Sequence, residues 1–371
     1  MSEREEGYTL GVEEEYQIVD PKTRELRARS GRVLRRARQV LGEEEVAPEM
    51  LASQLEIKTP VCRTLAEVRA EILRLRREAV SAAAKEGARI AVASTHPFSH
   101  WQEQPVTPRE RYRRMMGDYQ QLAQEQLVFG LHVHVGLSDR EAAVRVVNRA
   151  RVWLAPMLAL SANSPFWLGA DTGYASYRTQ IWTGWPTWGP PGHFGSLAEH
   201  DALARAVVAT GPAADITEIY WDVRLPKKID TVEFRVTDVC SRVDEAVMLV
   251  GLARALVRAC CERAERGEHY PKTRTELLRV AHWCAARYGL DAELADVEAE
   301  RAVPAREMVK KLLAFVRPAL EEAGDWEEVS ALVGETLDRG NGANRQRRVY
   351  ERTGRLEDVV DMLIEETVPS S

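Results

Sequence analysis

The sequence predicts an α+β protein, and three observations carry that prediction. Short segments alternating polar and apolar residues, the mark of strands with one buried face, fall in the first two thirds of the chain. From Asp244 onward the pattern is helical almost to the end. The strands do not alternate strictly with helices, and their polar faces argue against burial on both sides, which disfavours a parallel α/β sheet. No internal repeat or flexible linker interrupts the 371 residues. They read as a single domain, with a sheet-bearing part over about 1–240 and a helical part over about 241–371.

The elements follow in order. In Gly11-Val12-Glu13-Glu14-Glu15-Tyr16-Gln17-Ile18-Val19 a strand carries Glu13, Glu15 and Gln17 on one face. A helix is expected over 30–41. Gln54-Leu55-Glu56-Ile57-Lys58 alternates as a second strand. Thr64-Leu65-Ala66-Glu67 is a capping box that opens a long helix to about Lys85, and Gly87 stops it. A buried strand is read over 89–94, ended by His96-Pro97. Thr107-Pro108-Arg109-Glu110 is a second capping box, with Pro at the first helical position. Leu131-His132-Val133-His134-Val135 sets two imidazoles on one face and three aliphatics on the other. Ser138-Asp139-Arg140-Glu141 starts a helix to about Leu160.

Residues 163–195 hold Trp167, Trp182, Trp185 and Trp188 among many Gly and Pro. So long a connection is expected to be a binding loop or lid. Ser196 caps the next helix, and strands are expected near 219–225 and 231–237. The helical remainder breaks near 267–271, Gly289, Pro304, Gly324 and Gly340.

Hydrophobic content of 45% and charged content of 29% fit a globular protein. A net charge of −6 gives no support for nucleic-acid binding. No apolar run approaches a membrane span. The charged start, Met1-Ser2-Glu3-Arg4-Glu5-Glu6, lacks the apolar core of a signal peptide. Five cysteines without CxxC spacing suit a reduced, cytoplasmic chain.

Four strands repeat one device: their polar faces are mostly Glu, His and Arg. Glu13, Glu15, Glu56 and Glu233, the last in Thr231-Val232-Glu233-Phe234-Arg235-Val236, converge if the strands are neighbours. Like charges about 4 Å apart repel by roughly 4 kcal/mol at an effective dielectric of 20. Such a cluster takes up protons or needs cations. Magnesium or manganese, which prefer hard oxygen ligands, would supply the charge. Each strand alone fits an ordinary solvated face; four together favour a site. His132 and His134 fit a mixed carboxylate–histidine site better than a histidine-rich zinc site. Arg235 reads either as a plain salt-bridge partner of Glu233 or as a fork for phosphate or carboxylate, and Arg178, Asp222 and Arg224 are similar candidates. No Walker loop, no dinucleotide fingerprint and no nucleophile elbow occurs, so any nucleotide must be held through metals and arginines. The basic run Arg345, Arg347, Arg348 reads as a solvated helix face or a reach toward phosphate.

These motifs resemble the glutamate–cysteine ligase type 2 family, the carboxylate–amine ligases. The similar stretches are Thr9 to Gln17, Gly130 to Gly136, Leu160 to Trp167 with Asp171 to Arg178, Tyr220-Trp221-Asp222-Val223-Arg224, and Thr231 to Val236. The resemblance implies a glutamine-synthetase-like catalytic core, a curved and mainly antiparallel sheet with helices packed on one side. ATP and magnesium would bind on the concave face. It implies metal ligands at Glu13, Glu15, Glu49, Glu56, His132 and Glu233, and places Arg235 near the transferred phosphate. Arg178 resembles a contact to the substrate carboxylate. His134 departs from the expected polar amide. The implied reaction joins the γ-carboxylate of glutamate, or a similar acid, to an amine such as cysteine through an acyl phosphate. The alternatives from the residues are a metal-dependent hydrolase using His132 and His134, and a non-catalytic amino-acid-binding relative. The C-terminal helices could support a homodimer.

Overall fold

The computed structural model describes residues 8–368, and the charged start at Met1–Glu6 lies outside the described residues. The strands are β1 (Leu10–Val19), β2 (Val46–Pro48), β3 (Gln54–Lys58), β4 (Arg89–Ala91), β5 (Leu131–Gly136), β6 (Phe166–Trp167), β7 (Ala170–Asp171), β8 (Val223–Arg224), β9 (Thr231–Phe234), β10 (Glu293–Asp296) and β11 (Arg301–Pro304). Among the described residues seven of them form one sheet in the order β2-β3-β1-β5-β9-β8, with β4 also paired to β1. Every pairing in that sheet is antiparallel. The α+β expectation therefore holds.

One face of the sheet is core. Val12, Tyr16, Ile18, Leu55, Ile57, Leu131, Val133, Val135, Val232 and Phe234 are buried there. The helices Leu65–Lys85 and Val243–Glu265 pack behind β1, and Val243–Glu265 also packs behind β5. The helices Arg140–Ala150, Ala305–Ala323 and Trp326–Arg339 surround Val243–Glu265 in turn. Burial of this aliphatic face is the main stabilising term of the layer. No helix among the described residues is long and apolar enough to cross a membrane.

Several boundaries follow their caps. The Thr64 side chain accepts from Glu67 N, Asp139 from Glu141 N and Ala142 N, and Ser196 from Glu199 N. Thr107 does not cap. The helix starts at Glu110 after Arg109, and the Thr107 hydroxyl donates instead to the Glu49 carbonyl, 2.6 Å away. The stretch 163–195 is less irregular than expected, for it contains the β6–β7 hairpin and the helix Tyr177–Trp182. The helical third also holds a second hairpin, β10–β11, whose four-residue strands are too short to give a clear alternation. Arg345 is neither solvated nor free. It is buried between Glu245 and Glu366, while Arg347 pairs with Asp171.

Candidate active site

Strand register assembles the site on the face away from the core. Glu13 lies opposite Lys58 on β3 and His132 on β5. Glu15 lies opposite Glu56. On its other side Glu15 N donates to Gly130 O at 3.1 Å, and Gly130 N donates to Glu15 Oε2 at 2.8 Å. His134 lies opposite Glu233, and Glu233 opposite Arg224. Glu49 follows β2 and is held by Thr107, whose N–H also donates to Met50 O at 2.8 Å. These groups line a cavity of about 480 Å³ with Arg111, Tyr112, Trp182, Trp185, Tyr220 and Arg235. That is a fair size for a small-molecule site.

The cavity wall is charged in two regions. Glu233 is buried, and its oxygens accept from Arg224 Nε at 2.8 Å, from Arg224 Nη2 at 3.2 Å and from Arg235 Nη1. Burial alone would raise its pKa, but Arg235 and then Arg224 hold it far below the usual carboxylate range. Glu13 is likewise held low against its burial by hydrogen bonds from His132 and His134, His132 Nδ1 standing 3.2 Å from Glu13 Oε2. Burial, and then the nearby Arg235 charge, push His132 down to about 3. The other region is short of positive charge. Burial and Glu56 push Glu15 up to about 7, burial and Glu15 push Glu49 to about 7, and burial and Glu13 push Glu56 to about 8.

Glu13, Glu15, Glu49, Glu56, His132, Glu233, Arg224 and Arg235 thus share one cavity. Arg178 and Asp222 do not line it. Arg178 is buried behind the wall, 3.8 Å from Asp238 Oδ1, and its Nη2 donates to Arg235 O at 3.2 Å. Asp222 is buried with Oδ2 3.0 Å from His282 Nδ1, and its carbonyl accepts from Arg235 N at 2.8 Å. Both therefore support the backbone that carries Arg235. Gln17 shares the face of Glu13 and Glu15 but turns its amide to Ala93 O at 2.9 Å. Two participants were not singled out from the sequence. A Cβ on Gly130 would meet Arg178 Nη2 at 2.7 Å and His132 Nε2 at 3.1 Å, so only glycine admits this approach. Lys58 reaches into the cavity, and its signal, a lysine two residues after Glu56 on the same strand face, was open to reading.

The donor chemistry fits a hard divalent cation: four carboxylates not paired with arginine and one imidazole, with three of the carboxylates driven toward protonation by burial and then by the neighbouring carboxylates. Among the described residues no three such groups are already drawn around a single point. Lys58 engages Glu13 and Glu56, and the two arginines engage Glu233.

Residues 9–362 match the family model of glutamate–cysteine ligase family 2. The chain belongs to that family. As a member it is an ATP-dependent ligase. A Rhodopirellula baltica protein provisionally named glutamate–cysteine ligase 2 is 41% identical over 367 residues, covering 98% of each chain. A Frankia alni protein provisionally named glutamate–cysteine ligase 2-2 is 44% identical over 377 residues, covering 97% of each. Among solved structures, the glutamate–cysteine ligase of Francisella tularensis in complex with AMP has a TM-score of 0.70 at 11% identity, over 98% of this chain and 90% of that one. The bifunctional glutathione synthetase of Pasteurella multocida also scores 0.70, at 17% identity, over 98% of this chain and 51% of that one. These two likenesses speak for the fold, an α+β core with an antiparallel sheet as expected from the sequence.

Proposed function

We propose that this ligase joins the γ-carboxylate of glutamate, or a similar acid, to an amine, with cysteine the first amine to test. The observation that carries the reading is the convergence of Glu13, Glu15, Glu49, Glu56 and His132 on the cavity that also holds Arg224, Glu233 and Arg235. A carboxylate is a poor electrophile. The γ-phosphoryl group of ATP passes to a carboxylate oxygen, giving an acyl phosphate and ADP. The amine nitrogen then attacks the acyl carbon, inorganic phosphate leaves with the C–O electron pair, and the nitrogen gives up its proton.

Arg235 stabilises the charge that develops on the moving phosphoryl group, and Glu233 fixes the direction of that guanidinium and of Arg224. Glu13, Glu15, Glu49, Glu56, His132 and Glu233 would hold magnesium, which would supply positive charge to the phosphate oxygens when bound. Tyr112, Trp182, Trp185 and Tyr220 form an aromatic wall that keeps water from the acyl phosphate. Trp182 and Trp185 come from the long aromatic stretch, so that part of it serves as enclosure, whereas Trp167 packs on Tyr177.

ADP release with glutamate and a panel of amines, with and without magnesium, tests the reading. Release is expected only when acid, amine and magnesium are all present. Glu13→Gln and Glu233→Gln should abolish it while the thermal melt stays cooperative. Near-normal release by either variant would overturn the ligand assignment.

A further inference from the structure

Lys58 places a cation between two of the carboxylates assigned as metal ligands. It closes β3, and its backbone is pinned, with Lys58 N donating to Glu45 O at 2.9 Å and Thr59 N to Val12 O at 2.9 Å. From there its ammonium reaches inward. Nζ stands 2.7 Å from Glu13 Oε1 and 2.7 Å from Glu56 Oε1. An ammonium is a compact point charge with three donors and no acceptor. Placed between two carboxylates, it does electrostatically what a metal ion would do at that point. The side chain is partly exposed, and its ammonium is held in the cavity by contacts to both carboxylates.

The remaining charges show what this leaves open. Both oxygens of Glu233 are taken by Arg224 and Arg235. Glu13 is taken by Lys58 and His132. Glu15 has a backbone N–H donor from Gly130, and among the described residues neither Glu15 nor Glu49, which line the same cavity, forms an ion pair with a lysine or arginine. The acidic wall therefore divides into a Glu13–Glu56 gap already filled by Lys58 and a Glu15–Glu49 region with no ion pair of its own among the described residues.

We propose that Lys58 occupies a divalent-cation position between Glu13 and Glu56, so that this chain binds one divalent ion fewer than its carboxylates could hold. The purpose of the remaining metal rests on the ligase reading, but the occupancy of the gap does not. A positive charge fixed in the gap repels a second cation. Removing it should open the position.

The test counts Mn²⁺ ions bound per chain at pH 8 without nucleotide, from the paramagnetic resonance signal of free Mn²⁺, for the wild type, Lys58→Met and Lys58→Arg. Lys58→Met is expected to bind one more ion than the wild type, and Lys58→Arg the same number. Should Lys58→Met fail a circular-dichroism check of folding, Lys58→Gln takes its place with the same expectation. An unchanged or lower count in the neutral variant overturns the proposal, and so does an equal gain in Lys58→Arg. ADP release by the wild type separates the two readings. Release without a gained ion in Lys58→Met refutes this inference alone. A gained ion in a protein that never releases ADP refutes the ligase reading alone.

Discussion

The face of β1 turned from the cavity carries a buried ion pair whose loss has a calculable cost. Glu14 and Arg76 are both 0% exposed. Arg76 Nη2 donates to Glu14 Oε1 at 2.6 Å and Nε to Oε2 at 3.0 Å, and the Tyr16 hydroxyl adds a third donor at 2.6 Å. The same guanidinium donates to the carbonyls of Ser241 at 2.5 Å, Cys240 at 2.8 Å and Thr367 at 3.2 Å. One side chain thus ties the strand bearing Glu13 and Glu15 to the segment after β9 and to the end of the last helix. In Arg76→Met the volume is largely kept, but a buried carboxylate is left with only Tyr16. Breaking such a pair by removing one partner costs about 3–5 kcal/mol. At about 2.1 cal/mol/K per residue, 371 residues give an unfolding entropy of about 0.8 kcal/mol/K, so 4 kcal/mol lowers the melting temperature by about 5 °C. Thermal unfolding followed by circular dichroism reads the shift. The double variant Glu14→Gln/Arg76→Met should recover part of it, because no unpaired charge remains, while the three carbonyls still lack their donor. A single variant melting within about 1 °C of the wild type would refute the reasoning, since the expected loss is several times that. So would a double variant no more stable than the single.

The remaining expectations concern the site and a histidine remote from it. Gly130→Ala places a Cβ against Arg178 and His132, and Arg178, being buried, has little room to withdraw; ADP release should fall at least tenfold, about 1.4 kcal/mol of barrier, and wild-type turnover would show that the approach is not tight. His96 is buried and neutral, Nε2 donating to Arg24 O at 2.8 Å and Nδ1 accepting from Phe98 N and Ser99 N, and burial pushes it from 6.5 down to about 4. Because the folded value lies below the unfolded one, its contribution is fully present above pH 6.5 and is lost as pH falls toward 4, about 3 kcal/mol for 2.5 units at 1.36 kcal/mol each. Urea midpoints at pH 7 and pH 4 should therefore differ less in His96→Gln than in the wild type, and an equal pH dependence would contradict the assignment.

Which parts of this were legible in the sequence depends on the range of the physics involved. The face of a strand is local: a side chain points the same way as the one two residues on, so Glu13 with Glu15, His132 with His134 and Glu233 with Arg235 could be grouped from spacing alone. Glu49 could not, because it follows the three-residue strand β2 and is placed by Thr107, whose hydroxyl looked like a helix cap. Arg178 and Asp222 showed why a motif does not give a direction. Each suited either a ligand contact or an internal pair, and the packing of Asp238 and His282 behind the wall turns them inward. The choice of partner is non-local throughout. Arg345 meets Glu245 and Glu366, at separations of 100 and 21 residues, and is buried where its sequence context suggested solvent. Lys58 is the sharpest case: in Gln54–Lys58 it is one more polar residue on an alternating strand, and only the register of β1 against β3 sets it opposite Glu13, 45 residues away. Residue types and spacing therefore suffice to show that acidic groups gather. How many of those charges the protein neutralises for itself, and how many it leaves for an ion, is decided by strand register, and a one-residue slip would turn Lys58 to the opposite face.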